Sequence, residues 1–523
     1  MIIDLELDSA GDRFDCDIAI VGAGAVGITM AVELASKGAD VLLIEAGGER
    51  MESASQALYL AAQSVGHRLP GLHEGRYRLL GGTTNFWGGQ LVPFDPVVFE
   101  KREWLPYSGW PVTRGEVEPY YERVFDVLGL GCLRTDAEVW QRLAVDPPAL
   151  REGLEFFMTR WLPNPILPQV FARQLRDGAL RTLVHANVTQ ITPAAEHGAQ
   201  NHLAVRTLGG KTATINARRV VLACGTIEIS RLLMLPTGGD KPAPWHASPW
   251  LGQGFVDHAD CYAGEVIPTD KAAFHALFDN IYLDKCKYHP KIKLGGNAQH
   301  EAQLLGISAH FLFLSSMSEH LANLKIFVRS LMGGRKPANL AAVPAHLFAL
   351  WKVAVPLALR YLRSNRAFNP SDRGIKLRLT AEQFPNRASR ISLTNQTDAL
   401  GLPIVAVDWQ LSGEEIETFL EFGNRLKREL ERLGLARIEL DPRLVARDPA
   451  FLATVDDGYH QMGGARMGLT EADGVVDTNL QVHGAHGIYV AGAAVFPSTG
   501  FANPTFTAMA LGLRLADHLR SAA

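Results

Sequence analysis

The stretch CDIAIVGAGAVG at 16–27, with VLLIEAGG following at 41–48, limits the fold of this chain more than any other. Cys16 to Val21 is a short apolar run. A glycine turn follows it, then a helical pattern from Ile28, a stop at Gly38, and a second apolar strand at Val41 to Ile44. Strand, turn, helix and strand within about thirty residues predict a βαβ unit whose strands are buried on both faces. Gly22, Gly24 and Gly27 fit GxGxxG, and Glu45 ends the second strand, 23 residues beyond Gly22. Each position has its own task. Gly22 permits the tight turn, Gly24 lets backbone approach a pyrophosphate, and Gly27 lets helix and strand pack closely. The helix N-terminus offers free N–H groups to phosphate, and Glu45 can accept from ribose hydroxyls. The pattern predicts an adenine-dinucleotide site and does not separate FAD from NAD.

At 523 residues the chain is long enough for two or more domains. Apolar content of 47% with 20% charged residues is that of an ordinary globular protein. A formal net charge of −4 supplies no field that would favour nucleic acid, and no nucleic-acid partner is expected. The five cysteines, Cys16, Cys132, Cys224, Cys261 and Cys286, form no CxxC pair. That speaks against a zinc ribbon, a redox dithiol and a c-type haem, and favours free thiols in a reducing compartment. The acidic first residues lack a basic and apolar leader pattern, so a cytoplasmic location is expected.

Residues 50 to 130 are loop-rich, with Gly81, Gly82, Gly88 and Gly89 crowded around Trp87. Buried-strand patterns return at Leu183 to Ile191 and Val220 to Ala223. The middle alternates strands (Ile375 to Leu379, Ile404 to Trp409) with a long helix at Ser412 to Leu433. First-domain signals resume after about residue 456. The expected architecture is α/β: a discontinuous Rossmann-type domain at 1–105, 170–262 and 456–523, and a β-sheet-and-helix substrate domain at 106–169 and 263–455.

Several longer blocks carry a resemblance. IVGAGAVG with IEAGG, the loop GGTTNFWGG (81–89), GWPVTRGEVEPYYERV (109–124) and AEQFPNRASRISLTNQTDALGLP (381–403) precede three ordered C-terminal blocks. These are YHQMGGARMG (459–468), GVVDTNLQVHGAHGIYVAGAAVFP (474–497) and NPTFTAMALGLRLAD (503–517). Together they resemble the glucose-methanol-choline (GMC) family of FAD-dependent oxidoreductases, nearly end to end, and its sugar-oxidising bacterial branch in particular.

The resemblance implies FAD as cofactor and oxidation of an alcohol group, on a sugar or glycoside, with hydride passing to flavin N5. It implies His460 as the base and Asn503 as the group that orients the substrate oxygen. It carries FAD contacts onto Gly22, Gly24, Ala25, Gly27, Glu45, Ala46, Gly82, Thr83, Asn85, Gly88, Val188, Ala223, Gly492, Ala493 and Thr505. Some members attach FAD through a histidine in the loop after the paired glycines. Phe86 stands at the nearest position here, so noncovalent FAD is expected. His483, His185 and the run Gly252 to His258 are read as structural. The same resemblance admits a hydroxynitrile-lyase-like reaction with a purely structural flavin.

From His320 to Ser371 the chain has no Asp or Glu, yet it holds eight lysines and arginines amid apolar residues. The segment is interrupted by Lys352 and Pro356 and is too short in uninterrupted apolar length to cross a bilayer. A helical pair with a solvated basic face is the simpler expectation. Peripheral contact with an anionic membrane, or docking of an electron-acceptor protein, is the alternative. A quinone is a further candidate acceptor.

Overall fold

A computed structural model describes residues 1–7, 11–178, 180–238, 242–317, 344, 348, 351, 360, 365–367 and 369–521. Most of the acid-free stretch 320–371 therefore lies outside the described residues. Among the described residues no helix is long and apolar enough to cross a membrane.

The fold is α/β. Its first sheet runs in the order Ile2–Asp4, Arg181–Val184, Val41–Ile44, Arg13–Val21, Thr212–Leu222, Asn201–Arg206 and Asn187–Thr192, with Ile488–Val490 also paired to Thr212–Leu222. The pairs from Ile2–Asp4 to Thr212–Leu222 are parallel, and so is that with Ile488–Val490. Val41–Ile44 is buried at every position, as a parallel strand covered on both faces requires. Helix Ala25–Ser36 packs against the C-terminal helix Pro504–Ser521. Gly512 lets them close up: a Cβ there would lie 3.0 Å from Val26 Cγ1 and 3.1 Å from Met30 Cγ.

The run expected as one strand from Leu183 to Ile191 is two. Arg181–Val184 pairs with Val41–Ile44, whereas Asn187–Thr192 pairs with Asn201–Arg206. His185, at φ +55°, turns the chain between them. Its ring bonds to Asp4 Oδ1 at 2.8 Å and to Glu52.

The second sheet is mostly antiparallel hairpins and contains Leu154–Trp161, Cys286–Leu294, Ile307–Phe313, Ile375–Ala381 and Ala259–Pro268. One face packs on helix Glu415–Arg432 through Phe419, Phe422, Leu426 and Leu430. A third sheet joins Arg390–Thr397, Pro403–Trp409 and Gln63–Gly66.

The expectation of five free thiols is corrected. Cys132 and Cys286, 154 residues apart, form a disulfide, while Cys16, Cys224 and Cys261 are free. Spacing along the chain held no sign of it, because the sheet brings the two cysteines together. Such bridges persist in oxidising surroundings, so the bridge removes the support that free thiols lent to a cytoplasmic location.

Candidate active site

A cleft opens at the C-terminal ends of the parallel strands, the position at which such sheets bind ligands. Its floor follows from the glycines. A Cβ on Gly27 would sit 1.9 Å from Gly22 O, and one on Gly22 would sit 2.5 Å from Cys224 Cα, so helix and strands touch there. Gly24 differs, because nothing lies within 4 Å of a Cβ built on it. It lines the cleft as the N-cap of helix Ala25–Ser36, whose first N–H groups have no side-chain cap. Gly225, at φ +87°, is equally open. Two bare glycine backbones and an uncapped helix end make a cradle suited to a diphosphate.

Glu45 lies at the end of its strand and lines the cleft. Its carboxylate accepts from Ala23 N at 3.1 Å and Gly47 N at 2.9 Å. Burial raises its pKa against those bonds. Each oxygen keeps a lone pair for ribose hydroxyls. Ala25, Ala46, Gly82, Thr83, Val188, Ala223, Gly492, Ala493 and Thr505 also line the cleft.

Gly27, Asn85, Gly88 and Asn503 are not on that wall. Gly27 is the packing contact just described. The Asn85 amide donates to Leu80 O and Gly82 O, both at 3.0 Å, and so fastens the glycine loop. Gly88 lies against Trp161, whose ring a Cβ would meet at 2.4 Å. For Asn85 and Gly88 these contacts hold the glycine loop in place.

Four charged cleft residues, Arg76, Arg78, Glu228 and Arg231, had no signal in the sequence. Arg76 bonds Glu228 at 2.9 Å, and Arg231 continues the chain to Asp398 at 2.7 Å. Burial works to raise the Glu228 carboxyl, but Arg76, Arg231 and Arg78 outweigh it and hold it below the usual value. Arg76 and Arg78 both stack on Tyr59, at 4.1 and 4.9 Å.

At the far end of the cleft stands His460. Its Nε2 lies 2.7 Å from Asn503 Nδ2, and its Nδ1 lies 2.9 Å from His258 Nδ1. An amide nitrogen can only donate, so Nε2 is the acceptor, and the ring proton belongs on Nδ1, shared toward His258. Asn503 Oδ1 accepts in turn from Gln90 Nε2 at 2.7 Å. Burial, then His258, pushes the His460 pKa well below its ordinary value and keeps the ring neutral. His258, fully buried, is pushed down to about 4.

The run Gly252 to His258, expected to be structural, enters this site. Asp257 accepts from the main-chain N–H of His258 at 2.7 Å, Gly458 at 2.9 Å and His460 at 2.9 and 3.0 Å. Gly458 has no room for a side chain, because a Cβ would come within 2.9 Å of His460 Nδ1. An isolated bridge between Val256 and Met462 holds the two segments in register. His483 stays apart, its Nε2 3.2 Å from Gly468 O.

Residues 17–245 match the FAD dependent oxidoreductase model, and residues 385–512 match the GMC oxidoreductase model. The chain is a GMC oxidoreductase. It uses FAD and acts on CH–OH groups, and the cleft fits that cofactor. Paromamine 6'-oxidase of Streptomyces fradiae is 22% identical to this GMC oxidoreductase, across 97% of this chain and 92% of its own. C-glycoside 3-oxidase of Arthrobacter globiformis is 33% identical over 26% of each chain. Among solved structures, a formate oxidase of Aspergillus oryzae superposes with a TM-score of 0.56 at 17% identity, covering 98% of this chain and 99% of the other. That last likeness speaks for the fold alone.

Proposed function

We propose that this GMC oxidoreductase oxidises an alcohol group of a sugar or glycoside, with His460 Nε2 taking the hydroxyl proton. The observation that carries this reading is the pair His460 Nε2 and Asn503 Nδ2, 2.7 Å apart. One offers a lone pair and the other an N–H, and a substrate hydroxyl that displaces their mutual bond would donate to Nε2 and accept from Nδ2. The neutral ring held by burial is the form that can accept a proton. Asn503, anchored by Gln90, orients the oxygen. Asp257 positions the main chain of the base, and His258 fixes its tautomer. FAD, when bound, supplies the hydride acceptor.

The relatives named paromamine 6'-oxidase and C-glycoside 3-oxidase support the substrate class. Noncovalent FAD is supported by Phe86, an exposed ring stacked on Tyr77 at 4.0 Å with no atom suited to flavin attachment. The strand distribution supports division into an FAD-binding domain at 1–105, 170–262 and 456–523 and a substrate domain at 106–169 and 263–455.

The test is His460→Ala. The variant is expected to bind FAD with an unchanged visible spectrum and to lose about 10²–10⁴ in the rate of anaerobic flavin bleaching by sugars. Wild-type bleaching in the variant removes His460 from the chemistry.

A further inference from the structure

Strand Cys286–Leu294 carries Lys287, His289, Lys291 and Lys293 at alternate positions, so all four leave the sheet on one face. Register extends that face across the sheet. Phe157 stands opposite Lys291, and His310 stands opposite Arg378. The pairing of Lys293 with Ser308 sets Lys291 alongside His310. The rings of His289 and His310 meet edge to face at 4.8 Å.

This is the face turned away from helix Glu415–Arg432, and it is turned toward the base. Lys291 and Arg378 both lie near enough to His460 to act on its charge. Gln90, opposite Trp161 at the same sheet's edge, reaches Asn503.

The charges on this face do not balance. Arg378 is paired with Asp260, and Lys293 with Asp95 at 2.6 Å and Glu155 at 3.5 Å. Among the described residues Lys287 has no ion pair, and it rests on the Trp161 ring at 4.2 Å. Among the described residues Lys291 has no ion pair, and Asp260, whose charge acts on it, is held by Arg378. His289 is 6% exposed, and its Nε2 has no hydrogen-bond partner. Burial, then Arg378, pushes the Lys291 ammonium down to about 8, as expected of a cation held without a counter-charge. A half-buried cation without a counter-charge and a buried, orphaned imidazole nitrogen are groups that an anionic ligand would complete.

We infer that this face is an anion subsite: the substrate oxidised beside His460 carries a carboxylate or phosphate group, which Lys291 and Lys287 neutralise and to which His289 donates a hydrogen bond. The inference rests on His460 being the base over the substrate, and it names the class of sugar that base serves: a sugar acid or sugar phosphate.

The experiment is calorimetric titration of the FAD-loaded enzyme with D-gluconate, D-glucose 6-phosphate and neutral D-glucose, repeated on Lys291→Met, Lys291→Arg and His460→Ala. At least one anionic probe is expected to bind at least about tenfold more tightly than glucose. Lys291→Met should abolish that preference, Lys291→Arg should keep it, and His460→Ala should keep it while preventing flavin bleaching. Gluconate alone binding assigns a carboxylate; glucose 6-phosphate alone assigns a phosphate. Equal or absent binding of all three overturns the inference, as does a preference indifferent to Lys291→Met. Anion binding that depends on Lys291, joined to bleaching that survives in His460→Ala, would instead leave the subsite standing and remove the base.

Discussion

Two glycines three residues apart should respond in opposite ways to the same added methyl group. At Gly27 a Cβ would lie 1.9 Å from Gly22 O, a backbone atom in the turn that the helix starts from. Helix and strand would have to part by about 1 Å, and overpacking of this kind costs about 1–3 kcal/mol or more. Gly27→Ala should therefore lower the melting temperature by several degrees both with and without FAD. At Gly24 a Cβ meets nothing within 4 Å, so the protein without cofactor should melt as the wild type does. Its methyl group would project where a diphosphate must approach the bare backbone, and FAD affinity should fall at least about tenfold. The assays are thermal unfolding of apo and loaded protein, and FAD titration followed by flavin fluorescence. Wild-type FAD affinity in Gly24→Ala would refute the assignment of this helix end as the phosphate cradle, whatever Gly27→Ala does.

Other outcomes follow from the buried charges and the bridge. His258 has a folded pKa of about 4 against about 6.5 unfolded, so the unfolded chain takes up its proton first. Its stabilising contribution is full above pH 6.5 and is lost as pH falls toward 4, about 3 kcal/mol over the window. His460 has the same sign, and Asp457, raised to about 6 chiefly by burial, the opposite one. Comparing urea midpoints of wild type and His258→Asn across pH 4–7 isolates the His258 share; parallel curves would contradict it. Arg102 and Glu382 form a fully buried two-pronged pair at 2.7 and 2.8 Å. Arg102→Met leaves the carboxylate alone and should cost about 3–5 kcal/mol in denaturant unfolding. Cys132→Ser combined with Cys286→Ser should cost about 2–5 kcal/mol. The unreduced, denatured wild type should titrate three thiols, and five would show that the bridge is absent.

Local signals were legible in the sequence. Gly22, Gly24, Gly27 and Glu45 fall within one βαβ unit, where turn, helix and strand geometry follow from neighbours in the chain. His460 and Asn503 were reached through block resemblance, and they stand side by side. What escaped depends on contacts between distant segments. His258 meets His460 across 202 residues through a single isolated bridge, which leaves no periodicity to read. The alternation of lysines and histidines from 287 to 293 was visible, but the side of the sheet they occupy is decided by which face the helix Glu415–Arg432 covers. Asn85 and Gly88 sit in a glycine-rich loop whose letters look alike, although Gly82 and Thr83 line the cleft and Asn85 fastens the loop.

Asp257 grips the amide of His460 and leaves its imidazole free. The Asp257 carboxylate thus holds residue 460 by its main chain, a grip that stays in place when the side chain at 460 is exchanged. A different side chain grafted at that one position would start from the same held backbone, which makes this pedestal a ready point for installing different reactivity without redesigning the surrounding loop.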